Sequence, residues 1–340
     1  MNPLNYFDNR EIGIDLGTAN ILVAIKHRGI VFREPSVVSY NKENGELIAY
    51  GLKAKQMLGK TPDNIQVIKP LKDGVIADLT AATIMLKAIM QRICKKYHIV
   101  KPSVVVGVPS LITEVEKRAL QSAVISSGAG EVYLIDEPMA AAIGSGLNVA
   151  DPVANFIVDI GGGTTEVAVI SLGGIVCKES IKIAGDKLTQ DIIRYCKRHL
   201  DIIIGENMAE KAKIELATAV KYEPVQYFEI KGRDVYTGLP VIRTITSDDI
   251  YKAIHSNLLK IVEAIKTCIE NTPPELLSDL AVKGIMVAGG GALIKHLDEF
   301  IFSKTDTHVL IAEDALDCVV KGTCRILENE EQLKKIFQNK

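Results

Sequence analysis

A short phrase occurs twice in this chain. Ile12-Gly13-Ile14-Asp15-Leu16-Gly17-Thr18-Ala19-Asn20 returns in altered form as Ile157-Val158-Asp159-Ile160-Gly161-Gly162-Gly163-Thr164-Thr165. Each copy is an apolar run ending in aspartate, then glycine and threonine, then a second alternating apolar run (Ile21, Val23, Ile25; Val167, Val169). Alternation on both sides of a tight glycine turn predicts strand, turn, strand. At such a turn the glycines let backbone N–H groups approach an anion, the threonines add hydroxyl donors, and the aspartate can hold a cation that neutralises phosphate. Two such hairpins facing each other would clasp one nucleotide. A dinucleotide-binding fingerprint is excluded by the same residues, because that motif opens a helix whereas β-branched residues follow both copies here.

The 340 residues are long enough for about two domains with full cores. A net charge of −2 gives no bulk electrostatic reason to expect nucleic acid as a partner. No apolar run approaches the ~18 residues of a membrane span. Asn5, Asp8, Asn9, Arg10 and Glu11 interrupt any signal-peptide core, so a cytoplasmic protein is expected. The six cysteines form no CxxC pair and sit in apolar stretches, as small packing residues in a reducing compartment do. The histidines form no HExxH array, so any metal should be a hard cation held by carboxylates and phosphates.

Along the chain, a second strand pair is expected around Gly29–Phe32 and Ser36–Tyr40, followed by a polar, lysine-rich insertion through Lys72. Met85, Ile89 and Ile93 predict a helix over 78–97. Val104–Val108 reads as a buried strand leading to a helix capped by Thr113 and Glu116 and ended by Gly128. Strand Val132–Ile135 precedes Glu137-Pro138-Met139-Ala140-Ala141-Ala142, where a proline at the helix start costs little. The second half opens at Asn155. It carries a charged helical region (187–220) and a strand-rich stretch (227–246), then a long amphipathic helix from Thr246 to Pro273. Strand 284–287 leads into Gly289-Gly290-Gly291-Ala292, and a last helix is expected over 314–327. The pattern is α/β: two lobes, each begun by a phosphate hairpin, each with an inserted smaller subdomain, as an ancient duplication would leave them.

Roles follow from charge. Asp15 and Asp159 should face Mg2+ through its water shell, because this ion dehydrates reluctantly. Gly17, Thr18, Ala19 and Asn20 should present donors to the β and γ phosphates, with Gly161, Gly162, Gly163 and Thr164 opposite. Gly289, Gly290, Gly291 and Ala292 lack side chains that would block a flat ring and suit the adenine and ribose side; a plain helix-entry turn is the alternative. Glu137, at a strand-to-helix turn, is the best-placed group to orient a water in line with the terminal phosphate, or else merely caps its helix.

These motifs, with Asp136-Glu137-Pro138-Met139-Ala140-Ala141-Ala142-Ile143-Gly144, Arg33-Glu34-Pro35-Ser36-Val37-Val38, Val105-Val106-Gly107-Val108-Pro109-Ser110 and Thr165-Glu166-Val167-Ala168-Val169-Ile170-Ser171-Leu172-Gly173-Gly174, resemble the actin, chaperone and sugar-kinase superfamily, and within it the MreB family of bacterial actins. The likeness runs from about Ile12 to about Leu327. It implies an actin-like, ribonuclease H-like fold of four subdomains: 1–33, 75–149 and 312–340 for the first lobe core, 34–74 inserted in it, 150–183 and 247–311 for the second, 184–246 inserted there. It also implies a slow Mg2+-dependent ATPase holding ATP or ADP and polymerising into filaments at the inner face of the cytoplasmic membrane. Such filaments determine cell shape by organising wall synthesis, with morphogenesis proteins as partners, or act as a membrane cytoskeleton in a host without a wall.

By position, the resemblance puts phosphate contacts on Gly17–Asn20 and Gly161–Gly163, the catalytic carboxylate on Glu137, and further nucleotide contacts on Glu210 and Lys213, three apart on one helix face. The family's membrane loop falls on Ile99-Val100, flanked by Lys95, Lys96 and Lys101; these two apolar residues either enter the bilayer or pack beneath the loop. Leu4, Tyr6 and Phe7, and Leu333-Lys334-Lys335-Ile336-Phe337, are terminal alternatives. Two departures bear on rate and affinity: Asp136 replaces a glutamate before Glu137, and Gly205-Glu206-Asn207-Met208-Ala209-Glu210 replaces the family's Gly-Glu-Arg-Thr-Ala-Glu. A chaperone-type clamp or a small-molecule kinase on the same fold are the competing functions.

Overall fold

The computed structural model describes residues 11–328 except Leu111 and Tyr222; the two terminal anchor candidates lie outside the described residues. The chain opens as an antiparallel meander of β1 (Glu11–Leu16), β2 (Asn20–Ile25) and β3 (Gly29–Pro35). It then leaves for a small sheet of β4 (Val38–Asn41), β5 (Leu47–Tyr50) and, after α1 (Leu52–Met57), β6 (Ile65–Ile68). A ribbon of β7 (Leu71–Lys72) and β8 (Val75–Ile76) returns it to α2 (Leu79–Tyr97), β9 (Ser103–Val108), α3 (Glu114–Ser126) and β10 (Glu131–Asp136). β9 and β10 join parallel to β1, giving the order β10-β9-β1-β2-β3.

Helix α4 (Glu137–Gly144) crosses to the second half, which repeats the plan. The meander is β11 (Asn155–Ile160), β12 (Thr165–Ser171) and β13 (Gly174–Ile181). An insertion follows: α5 (Gly185–His199), β14 (Ile202–Ile203), α6 (Glu206–Leu216), β15 (Tyr227–Asp234) and β16 (Pro240–Thr246), its strands forming a three-stranded sheet. Then come α7 (Ser247–Glu270), α8 (Pro274–Lys283), β17 (Ile285–Ala288), a 3-10 turn over Gly290–Leu293, α9 (Leu297–Thr305), β18 (Val309–Ile311), a 3-10 turn over Ala315–Asp317 and α10 (Cys318–Glu328). The order β13-β12-β11-β17-β18, with β17 and β18 parallel to β11, matches the first sheet strand for strand.

Local signals explain the boundaries. Asp78 accepts the Ala81 N–H at the start of α2, and capping boxes at Thr113/Glu116 and Thr246/Asp249 start α3 and α7. Every residue of β11 and β12 is buried, as expected of strands covered on both faces. One expectation is corrected: 29–32 and 36–40 are not a strand pair. β3 completes the large sheet against β2, and β4 belongs to the small one. The chain turns at Ser36, whose N–H donates to the Ala19 carbonyl at 3.0 Å, and so leaves one sheet for the other.

The two helices that link the halves, α4 and α10, press backbone to backbone. A Cβ on Gly144 would lie 1.7 Å from the Cys318 carbonyl oxygen, and one on Gly322 would lie 1.8 Å from that of Ala140. No residue but glycine fits either place.

Candidate nucleotide-binding site

The duplicated phrases meet. A cleft of about 450 Å³ lies between the two large sheets, and its walls include both turns: Gly17–Asn20 on one side, Gly161–Thr164 on the other. They approach so closely that a Cβ on Gly162 would stand 2.8 Å from the Ala19 Cβ, and one on Gly163 would stand 2.6 Å from the Thr18 Oγ1. The first turn is braced from its own lobe: the Ser36 hydroxyl donates to the Gly17 carbonyl (2.6 Å), and the Gly74 N–H donates to Thr18 Oγ1 (3.2 Å). The second closes on itself, Gly161 N–H to Thr164 carbonyl at 3.0 Å. It is also pinned to the start of α5, whose Gly185 and Asp186 N–H groups donate to the Gly161 and Gly162 carbonyls at 3.1 and 2.8 Å.

Asp15 is the last residue but one of β1, Asp159 the last but one of β11, and Glu137 opens α4; all three line the cleft. Burial, then the nearby Asp159 and Asp317 charges, push the Asp15 carboxyl up to about 8. Burial and the Glu166 charge push Asp159 up to about 7. Glu137 is raised well above the usual carboxylate range by burial, then by Asp15, Asp159, Glu166 and Asp136. Three acidic groups crowded out of water favour an arriving cation. Among the described residues no three His, Cys, Asp or Glu side chains gather closely enough to hold a metal unaided. Asp136, not Glu137, occupies the cap position of α4, and it makes no side-chain cap bond.

On the far side, Glu210 and Lys213 pair at 2.8 Å on α6, and Lys213 Nζ also donates to the Gly185 carbonyl (2.8 Å) and Thr189 Oγ1 (2.9 Å). Gly289, Gly290 and Gly291 line the cleft as the entry to a 3-10 turn. Gly289 has φ +80, and a Cβ there would stand 2.3 Å from Asp159 Oδ1. Ala292, next along the same 3-10 turn, is 4% exposed. Exposed Ile214, Leu293 and Leu316 line this end and make it apolar; sequence reasoning passed over them, as it did Gly74 and Asp186.

The loop pair Ile99-Val100 is split. His98 and Lys101 are both left-handed (φ 56 and 49), and between them Ile99 turns into the first-lobe core, 6% exposed, while Val100 is 70% exposed. Ile99 is therefore a packing residue, and the expectation of a two-residue apolar tip is corrected to one.

The chain matches the sequence pattern of the MreB/Mbl protein family over residues 9–335. It is a member of the MreB/Mbl family. It is 44% identical over 326 residues to the cell shape-determining protein Mbl of Bacillus subtilis (strain 168), covering 96% of this chain and 98% of that one. Against the cell shape-determining protein MreB of Escherichia coli (strain K12) the identity is 43% over 325 residues, 94% of each. Among solved structures, MreB5 of Spiroplasma citri bound to ADP superposes with a TM-score of 0.90 at 40% identity, over 97% of this chain and 98% of that one; its form bound to AMPPNP gives 0.89. The MamK double helical filament, at 23% identity and a TM-score of 0.78, shares the fold. The MreB/Mbl chain described here is thus actin-like, with its paired lobes and central cleft.

Proposed function

We propose that this MreB/Mbl chain binds ATP with Mg2+, hydrolyses it slowly, and polymerises into filaments that lie on the inner face of the cytoplasmic membrane and determine cell shape. The filaments organise wall synthesis, or serve directly as a cytoskeleton where the host has no wall. One observation carries the nucleotide reading: Gly17–Asn20 and Gly161–Thr164 converge on a single cleft with Glu137 between them. Relatives of 43–44% identity that are named for determining cell shape, and a 40% identical MreB5 bound to ADP and to AMPPNP, support it and favour it over a kinase or a chaperone clamp.

The donor set fits a hard cation: Asp15 and Asp159 offer buried oxygens that repel one another, and too few to complete a shell without water and phosphate. When bound, Mg2+ would neutralise phosphate charge. The two turns direct backbone N–H groups and the Thr18 and Thr164 hydroxyls at phosphate oxygens. Glu137 orients a water and accepts its proton. Glu210 and Lys213 fix α6 beside the ribose, and the apolar end takes the base. The four-subdomain division, 34–74 inserted in one lobe and 184–246 in the other, gives each hairpin its own outer arm.

Calorimetry with ATP and Mg2+ tests binding, and negative-stain microscopy with ATP tests assembly. No uptake of ATP by folded protein sinks the reading; uptake without filaments removes the polymer alone. Membrane contact is assigned to Val100 with Lys95, Lys96 and Lys101, each lysine contributing about 1 kcal/mol near anionic lipid. Among the described residues no helix is long and apolar enough to cross a membrane. Val100→Ser is expected to lower co-sedimentation with anionic vesicles two- to fivefold, whereas unchanged pelleting moves the anchor to a chain end.

A further inference from the structure

Three polar residues stand abreast behind the second hairpin. In the antiparallel register Asp159 faces Glu166, and Glu166 faces Ser180; residues paired this way project from the same face of a sheet. The row starts in the cleft and ends at β13. Glu166 is 1% exposed, and both carboxylate oxygens are occupied. Oε1 accepts the Ser180 hydroxyl, and Oε2 accepts the backbone N–H of Ser110 at 3.2 Å. Ser110 belongs to the other lobe, two residues beyond β9. Its carbonyl is held as well, by Lys178 Nζ at 2.9 Å. Two side chains of the second lobe therefore grip both polar backbone groups of one first-lobe residue.

What makes that grip matter is the strand end it holds. A Cβ on Gly107, in β9, would lie 3.6 Å from the Glu137 Cγ, so this strand end is a wall against which Glu137 packs. Pro109 and Thr164 come together at Gly74, where a Cβ would stand 3.1 Å from Pro109 Cγ and 2.7 Å from Thr164 Cγ2. The position of Ser110 thus sets Glu137 relative to the second phosphate turn. A carboxylate this deep is costly unless hydrogen-bonded, and charge-assisted bonds are roughly twice as strong as neutral ones.

We propose that Glu166, assisted by Lys178, is a positioning residue for phosphate hydrolysis: it locks the Pro109-Ser110 corner to the second hairpin and thereby places Glu137 against the terminal phosphate. The inference rests on the reading of Glu137 given above. Glu166→Gln, Lys178→Met, their double variant and Glu137→Ala are compared by ATP calorimetry, single-turnover phosphate release and thermal unfolding. Glu166→Gln is expected to keep ATP affinity within threefold while slowing release at least tenfold, and Lys178→Met to slow it about threefold. The double variant slows release no more than about twice as much as Glu166→Gln, because both act through one peptide and their effects do not add. Lys178 is exposed, so its variant decides the matter if Glu166→Gln does not fold: slowed release at parental affinity supports the proposal, a parental rate overturns it. Affinity falling in step with rate also overturns it, by marking a merely structural role. A parental rate in Glu137→Ala instead overturns the underlying assignment.

Discussion

The two phosphate turns share a plan but not a means of support. The Gly17–Asn20 turn is braced from its own lobe by two side-chain hydrogen bonds, through the Ser36 hydroxyl and Thr18, beside one backbone bond from the Ser36 N–H to Ala19, and leaves Ala19 and Asn20 exposed. The Gly161–Thr164 turn is held by backbone alone: it closes on itself and takes two N–H groups from the start of α5. A side-chain brace can be removed by one substitution, whereas a backbone brace moves only if its helix moves. The first turn is therefore tied to Ser36 and Gly74 and the second to the start of α5, so a displacement on either side reaches its turn by a different route.

That contrast can be tested in descending order of effect. Glu137 belongs to neither turn, so Glu137→Ala separates chemistry from grip: phosphate release in a single turnover should fall about 10²- to 10⁴-fold while ATP affinity persists. Next, Gly163→Val places a side chain 2.6 Å from Thr18 Oγ1 and 3.0 Å from the Asp73 backbone, wedging one turn from the other. Calorimetry should register at least a hundredfold loss of ATP affinity without loss of the folded state. A smaller pair of changes compares the turns directly. Gly17→Ala brings a methyl 2.8 Å from the Asn20 carbonyl oxygen, against 3.3 Å from that of Thr164 in Gly161→Ala. The former should weaken ATP about tenfold and the latter less than threefold; equal losses would show that the two turns tolerate strain alike. Least of all, Ser36→Ala removes one brace, worth about 1 kcal/mol, and should weaken ATP two- to fivefold.

The architecture was legible wherever one residue type admits one conformation. Glycine and threonine between alternating apolar runs announced both hairpins, and capping residues marked α3 and α7. Contacts between distant segments were not legible. Nothing in Gly29–Tyr40 says that the chain changes sheets at Ser36, because the turn depends on a hydrogen bond to Ala19. Ile99 and Val100 look alike as letters, and two left-handed neighbours decide which one is buried. Glu166 reads as an ordinary strand carboxylate; only the cross-lobe partner Ser110 reveals its setting.

The glycine crossing of α4 and α10 carries a mechanical consequence. Both covalent routes between the lobes pass through a point where there is no slack for side chains to give. Sliding one lobe past the other would press Gly144 and Gly322 into the Cys318 and Ala140 carbonyls, so the jaws are left with a pin joint, and any bend between them is a swing about that pin.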